Sequence, residues 1–265
     1  MSGLHVLDGV VLEVGAATDP GLRRELNEDS MLAEPPVYLV ADGMGGYESG
    51  DRASRAVVDA FRTVFEGRVR ADLDGIRDAL DDADAGVAAV AGGTQRGAGS
   101  TVAGAALVWL DELPQWVIFN VGDSRVYRQQ GDTLQQVTVD HSLGQELFLA
   151  GRITAEELAN FPRRNVITRA IGAPDADADS WVMPVVNGER LLLCSDGLHG
   201  EVDDQGIIEL LVAHPDPTEA ARELVEAAKR GGGKDNITVV VVGVVEGGLL
   251  EAPEPAEVDE DTVDA

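Results

Sequence analysis

Residues 99–139 read GSTVAGAALVWLDELPQWVIFNVGDSRVYRQQGDTLQQVTV, and this run decides the fold class. Residues 101–110, 115–121, 124–129 and 133–137 are rich in apolar, β-branched and aromatic side chains, as strands require. Gly131-Asp132 marks a hairpin turn between the last two. Strands in such close succession leave no room for helical crossovers, so the sheets should be antiparallel.

Working outward, residues 10–18 and 37–40 are further strands, running into Asp-Pro and Asp-Gly turns. Residues 190–194 and 237–245 are near-continuous apolar runs, the pattern of strands covered on both faces. Helices are expected at 54–65, where Ala56, Val57, Ala60, Phe61 and Val64 share a face, and at 74–90, where Ile76, Leu80, Ala83 and Val87 do. A second pair is expected at 204–213 and 218–230. Runs of strands alternate with pairs of helices, which argues for an α+β fold of stacked antiparallel sheets flanked by helices. Residues from about 142 to 165 are polar and short-helical, fit neither layer, and read as a flap over one edge. One domain is expected over 1–246, followed by an acidic, disordered tail at 247–265.

A chain of 265 residues can bury a substantial core. The single cysteine, Cys194, excludes an intramolecular disulfide framework and a thiolate zinc cluster. No apolar run reaches membrane-spanning length and no signal-peptide pattern opens the chain, so a cytoplasmic protein without a membrane partner is expected. The formal net charge of -28 argues against nucleic acid and anionic membranes as partners. The tail contributes Glu246, Glu251, Glu254, Glu257, Asp259, Glu260, Asp261 and Asp264 without one Lys or Arg. It reads as a solubilising segment or as a dock for a basic partner.

Aspartates recur at the ends of the apolar runs, often beside glycine: Asp42-Gly43, Gly122-Asp123, Asp196-Gly197, Asp235-Asn236 and Glu28-Asp29. Any one of them could be an ordinary turn. As a set they ask for more, because Asp42 and Asp196 end runs that should be deeply buried, and a buried carboxylate is costly unless it is paired or binds a metal. An all-oxygen site without nearby cations favours Mg²⁺ or Mn²⁺. Gly231-Gly232-Gly233-Lys234 resembles part of a phosphate loop, but Asp235 stands where Ser or Thr is needed.

Six segments occur in a telling order: Arg24-Glu25-Leu26-Asn27-Glu28-Asp29, Val40-Ala41-Asp42-Gly43-Met44-Gly45-Gly46, Gly99-Ser100-Thr101, Gly122-Asp123-Ser124-Arg125, Ser195-Asp196-Gly197-Leu198 and Asp235-Asn236-Ile237-Thr238. In this order they resemble the metal-dependent protein phosphatase family, protein phosphatase 2C, in its compact bacterial form. The resemblance implies a four-layer α-β-β-α sandwich, two antiparallel sheets flanked by helix pairs. It also implies hydrolysis of phosphoserine and phosphothreonine by a metal-activated water, with Asp42 and Asp196 central to catalysis.

By that resemblance, Asp42 bridges two Mn²⁺ or Mg²⁺ ions, the Gly43 carbonyl serves one, and Asp196 and Asp235 complete the shell of the other. Glu28 matches an acidic position that holds metal-bound water, with Asp29 supporting it. Asp123 matches a residue that, with Asp196, binds a third and weaker ion, and Asn165 falls where a flap residue approaches that ion. Arg24, four residues before Glu28, matches the contact to the substrate phosphate, where a guanidinium can hold two oxygens at once. Met44 stands where some members carry a histidine proposed as general acid, so the proton donor stays unassigned. His141 and His199 are candidates for it, and each also reads as structural.

The implied partners are phosphorylated proteins, namely a serine/threonine kinase and its substrates, met by a monomer. A catalytically silent phosphoprotein-binding relative is the alternative, and the survival of Asp42, Asp196 and Asp235 speaks against it. A phosphatase of small phosphate esters, or one that antagonises an anti-sigma factor, is a third reading.

Overall fold

The computed structural model describes residues 2–45, 49–93, 97–163, 166–174 and 176–251. The chain opens with β1 (Ser2–Leu7), β2 (Val10–Asp19), β3 (Asp29–Glu34) and β4 (Val37–Gly45), then a helix pair, α1 (Ser49–Phe65) and α2 (Leu73–Gly92). Five strands follow: β5 (Ala98–Ser100), β6 (Val102–Leu110), β7 (Leu113–Val121), β8 (Arg125–Gln130) and β9 (Thr133–Gln136). Two short helices, α3 (Leu143–Leu149) and α4 (Ala155–Ala159), precede β10 (Asp179–Pro184) and β11 (Arg190–Cys194). The chain then forms α5 (Asp196–His199), α6 (Asp204–Ala213), α7 (Pro217–Gly231) and β12 (Ile237–Glu246).

One sheet runs β1-β2-β12-β11-β8-β9 and the other β10-β7-β6-β4-β3, with β5 continuing beside β4. Three apolar cores define the layers. Leu12, Val40, Leu107, Trp116, Leu193 and Val240 fill the space between the sheets. Val57, Phe61, Ile76 and Val87 bring α1 and α2 onto the outer face of the second sheet, where the Phe61 and Phe119 rings stack at 5.0 Å. Ile207, Leu211 and Leu224 bring α6 and α7 onto the first sheet, over Leu192, Val239 and Val241. Successive side chains of a strand point to opposite faces. Val240 and Val242 therefore enter the central core while Val239 and Val241 meet the helices, which is why β12 is apolar without alternation. The expected four-layer α-β-β-α sandwich is the observed fold.

Some boundaries move. Helix α1 begins at Ser49 rather than residue 54, with the poor helix formers Ser49 and Gly50 in its first turn. Pairing continues past β12: Leu249 exchanges backbone hydrogen bonds with Val185 and Asn187, and Gly248 N donates to Asn187 Oδ1 at 2.8 Å. The chain is thus still paired at residue 249, and the acidic stretch from residue 252 lies outside the described residues. Strands β1, β3 and β10, each at a sheet edge, and the three-residue β5 were not expected from the sequence.

Candidate active site

Antiparallel pairing gathers the acidic residues at one end of the sandwich. Asp29 opens β3 and pairs across from Asp42, near the end of β4. Asp123 lies between the end of β7 and the start of β8, Asp196 follows β11, and Asp235 precedes β12. The register Cys194↔Arg125 and Cys194↔Val239 keeps the last three together. Residues 200 positions apart in the chain thus share one rim because every strand concerned starts or stops there.

Each acid is held through its backbone. Asp42 N donates to Thr101 Oγ1 at 3.0 Å, while Asp42 O accepts from Thr101 N at 2.8 Å and Ser100 Oγ at 3.1 Å. Asn236 ties the Arg24 loop to β12: its Oδ1 accepts from Glu28 N at 2.8 Å and its Nδ2 donates to Leu26 O at 2.8 Å. Ser195 Oγ donates to Asp29 Oδ2 at 2.7 Å and accepts from Thr238 N at 3.0 Å. The Glu28 carboxylate lies at the first turn of α1, against Gly50. A Cβ on Gly50 would sit 2.4 Å from Glu28 Oε1 and 2.6 Å from Gly43 O, so only glycine leaves both oxygens their place.

The electrostatics are those of anions without a counter-ion. Burial first, then the neighbouring aspartates, pushes Asp42 well above the usual carboxylate range. The Asp29 carboxyl rises to about 7, Asp123 to about 8 and Asp196 to about 6, in each case chiefly by burial. Asp29 Oδ1, Asp123 Oδ1 and Asp196 Oδ1 are buried without a hydrogen-bond partner. The neighbouring Asp235 adds to the rise of Asp196, while Arg24 and Arg125 oppose it. Of the nearby basic groups, Arg24 Nη2 meets only Asp235, its Oδ2 at 2.7 Å, and Arg125 is taken up by Asp140 through Nε at 2.9 Å and Nη2 at 2.7 Å.

Among the described residues no three His, Cys, Asp or Glu side chains close around one point in the geometry of a bound ion. The donor set nevertheless fits a hard divalent cation, since it is anionic, all oxygen, and has three orphaned buried oxygens facing one region.

The structure therefore brings Arg24, Glu28, Asp29, Asp42, Gly43, Asp123, Asp196 and Asp235 to one end of the fold. Asn165 lies outside the described residues. Of the two histidines, His141 is buried, with Nδ1 accepting from Gly122 N at 3.1 Å, and so braces the turn that carries Asp123. His199 Nε2 meets Asp123 O at 3.0 Å. The bracing roles of Thr101, Ser195 and Asn236 were not read from the sequence. Their signal was there, in that each is a polar residue directly beside a site acid or at a strand end.

Residues 24–229 match the family model described as protein phosphatase 2C. The chain is 38% identical over 242 residues to the serine/threonine protein phosphatase PstP of Mycobacterium tuberculosis, covering 89% of this chain but 46% of that protein, so it spans about half that relative's length. It is 35% identical to the serine/threonine phosphatase stp of Listeria welshimeri, covering 85% of this chain and 93% of that one. The crystal structure of the catalytic domain of PstP with two manganese ions superimposes with a TM-score of 0.80, at 34% identity, over 89% of this chain and 100% of that one. Fold and likeness agree, and the chain belongs to the protein phosphatase 2C family.

Proposed function

We propose that this chain hydrolyses phosphoserine and phosphothreonine in proteins, with divalent ions held at the acidic rim. The observation that carries the reading is the set of buried, mutually repelling aspartates beside a half-exposed arginine. Asp42, Asp196 and Asp235, with the Gly43 carbonyl and with Glu28 through water, would hold two Mn²⁺ or Mg²⁺ ions. Asp123 with Asp196 would hold a third, weaker one. Bound there, such ions supply Lewis-acid activation of water and offset phosphoryl charge.

The chain's own residues do the rest. Buried acids that carry protons give them up to a cation, so loading releases protons. Arg24 exchanges Asp235 for two phosphoryl oxygens, an inexpensive exchange because the ion pair is exposed. Thr101, Ser195 and Asn236 keep the carboxylates from drifting apart during that exchange. The substrates in this reading are cytoplasmic proteins phosphorylated by a serine/threonine kinase, met by one monomeric domain.

The purified protein with Mn²⁺ is expected to hydrolyse a phosphothreonine peptide and to stop when a chelator is added. Hydrolysis that survives exhaustive chelation would overturn the reading.

A further inference from the structure

The loop between β2 and β3 presents two leucines that the phosphate chemistry does not use. Leu22 and Leu26 flank Arg24 at two residues on either side, and they are 62% and 53% exposed. Single exposed leucines are common on soluble proteins. This pair differs because the backbone beneath it is pinned. Leu22 N donates to Gly233 O at 2.7 Å, and Asn236 Nδ2 donates to Pro20 O at 3.0 Å and Leu26 O at 2.8 Å. Gly21, at φ +77, presses on the segment that carries Asp235, and a Cβ there would lie 2.2 Å from Asp235 O. The Leu22 side chain lies against Gly233. The glycine run before Lys234 is thus the floor of this loop rather than a phosphate cradle.

Leu22, Arg24 and Leu26 are therefore exposed at alternate positions of one held loop, whose Arg24 reaches Asp235 of the acidic rim. A loop that is already ordered loses little entropy when it binds. Arg24 takes the phosphate, so whatever flanks the phosphate meets the leucines. Arg23 and Glu25, both exposed beside Arg24, offset each other, so the leucines are what the loop offers a flanking residue besides Arg24.

We propose that Leu22 and Leu26 contact the residues on either side of the phosphorylated side chain and select substrates with a large apolar residue there. This rests on the phosphatase reading above. Two phosphothreonine peptides of equal length and charge, one with Leu and one with Ser on both sides of the phosphothreonine, would be given to the wild-type protein and to the double variant Leu22→Ser/Leu26→Ser. p-Nitrophenyl phosphate, which has no flanking residues, is run beside them on the wild-type protein. The wild type is expected to prefer the Leu peptide about tenfold in kcat/KM, and the double variant to show a ratio near one. A wild type without preference, or a double variant that keeps it, overturns the proposal. If the wild type hydrolyses neither the peptides nor p-nitrophenyl phosphate, the phosphatase reading falls by itself. The dissociation constants of the two peptides then decide the leucine proposal, through the presence of the same tenfold ratio in the wild type and its loss in the double variant.

Discussion

The two ends of the sandwich bury carboxylates in opposite ways. At the end where β11 begins, Glu189 is 1% exposed and both of its oxygens are used. Oε1 accepts from Trp116 Nε1 at 3.0 Å and from Val186 N at 2.9 Å, and Oε2 lies 2.5 Å from the Arg128 guanidinium. Burial pushes this carboxyl up, while the Val186 amide and Arg128 pull it back. At the end where β11 stops, Asp29, Asp42, Asp123 and Asp196 face one another, and three of them leave a buried oxygen without a partner. Arg125 stands close by, but its guanidinium is spent on Asp140 and on the Tyr127 hydroxyl at 2.8 Å. Glu189 is complete within the fold. The aspartates are complete only with protons or with a cation, and that difference separates a structural carboxylate from a functional one.

The strongest way to break the comparison is to remove charge at the acidic end. Asp42→Asn and Asp196→Asn are each expected to lower phosphopeptide hydrolysis at least a thousandfold, about 4 kcal/mol of barrier. Both should also raise the melting temperature of the metal-free protein at pH 8, because each relieves repulsion. Full activity in Asp196→Asn would remove that residue from the ion site.

Proton linkage gives the next largest effect. The carboxyls of Asp29, Asp123 and Asp196 stand at about 7, 8 and 6 in the fold, against an ordinary 3.8. Between those limits the native state holds more protons than the unfolded chain. Stability of the metal-free protein therefore falls as pH rises, by about 1.4 kcal/mol per pH unit for each proton of difference. The loss begins near 3.8 and is complete above about 8. Melting curves in chelator from pH 5 to 8 should slope downward, and Mn²⁺ should flatten them. A flat profile in chelator would show that the acids do not repel one another as the geometry requires.

At the other end the expectation reverses. Glu189→Ala leaves Arg128 and the Trp116 indole buried without their partner, and should cost about 3 kcal/mol in chemical denaturation. The kcat of the folded protein should stay within about twofold. A large loss of kcat without a loss of stability would mean that this end, too, serves the reaction.

The acidic end was far more legible in the sequence than the other. Asp-Gly after an apolar run, at Asp42 and at Asp196, announces a carboxylate at a strand end, and these two segments with four others in order carry the family resemblance. Glu189 announces nothing, because Arg128 is brought to it only by the pairing of β8 with β11 and Trp116 only by the stacking of one sheet on the other. The same limit hid the work of Asn236 and Ser195, whose side chains bond to residues some 200 and 166 positions away. Helix pairs and buried strands were legible because periodicity is local. Strands β1 and β10 were not: β1 mixes Ser2, Gly3 and His5 with its apolar residues, and β10 is a six-residue run bounded by Asp179 and Pro184.

The smallest effect sharpens the comparison at one residue. Arg24 is the single cation that the described structure places in an ion pair with a rim aspartate, and the pair is open to water, with Arg24 49% and Asp235 34% exposed. Such a pair contributes little to stability. Arg24→Ala is therefore expected to leave the melting temperature nearly unchanged while raising KM for a phosphopeptide about tenfold, through loss of a two-point phosphate contact. It also frees Asp235, so the Mn²⁺ concentration for half-maximal activity should stay level or fall. Arg24→Lys, which keeps the charge but loses the fork, should fall between the wild type and the alanine variant. If KM is unchanged in Arg24→Ala while the Mn²⁺ requirement rises, the guanidinium orders Asp235 for the ion and does not meet the phosphate.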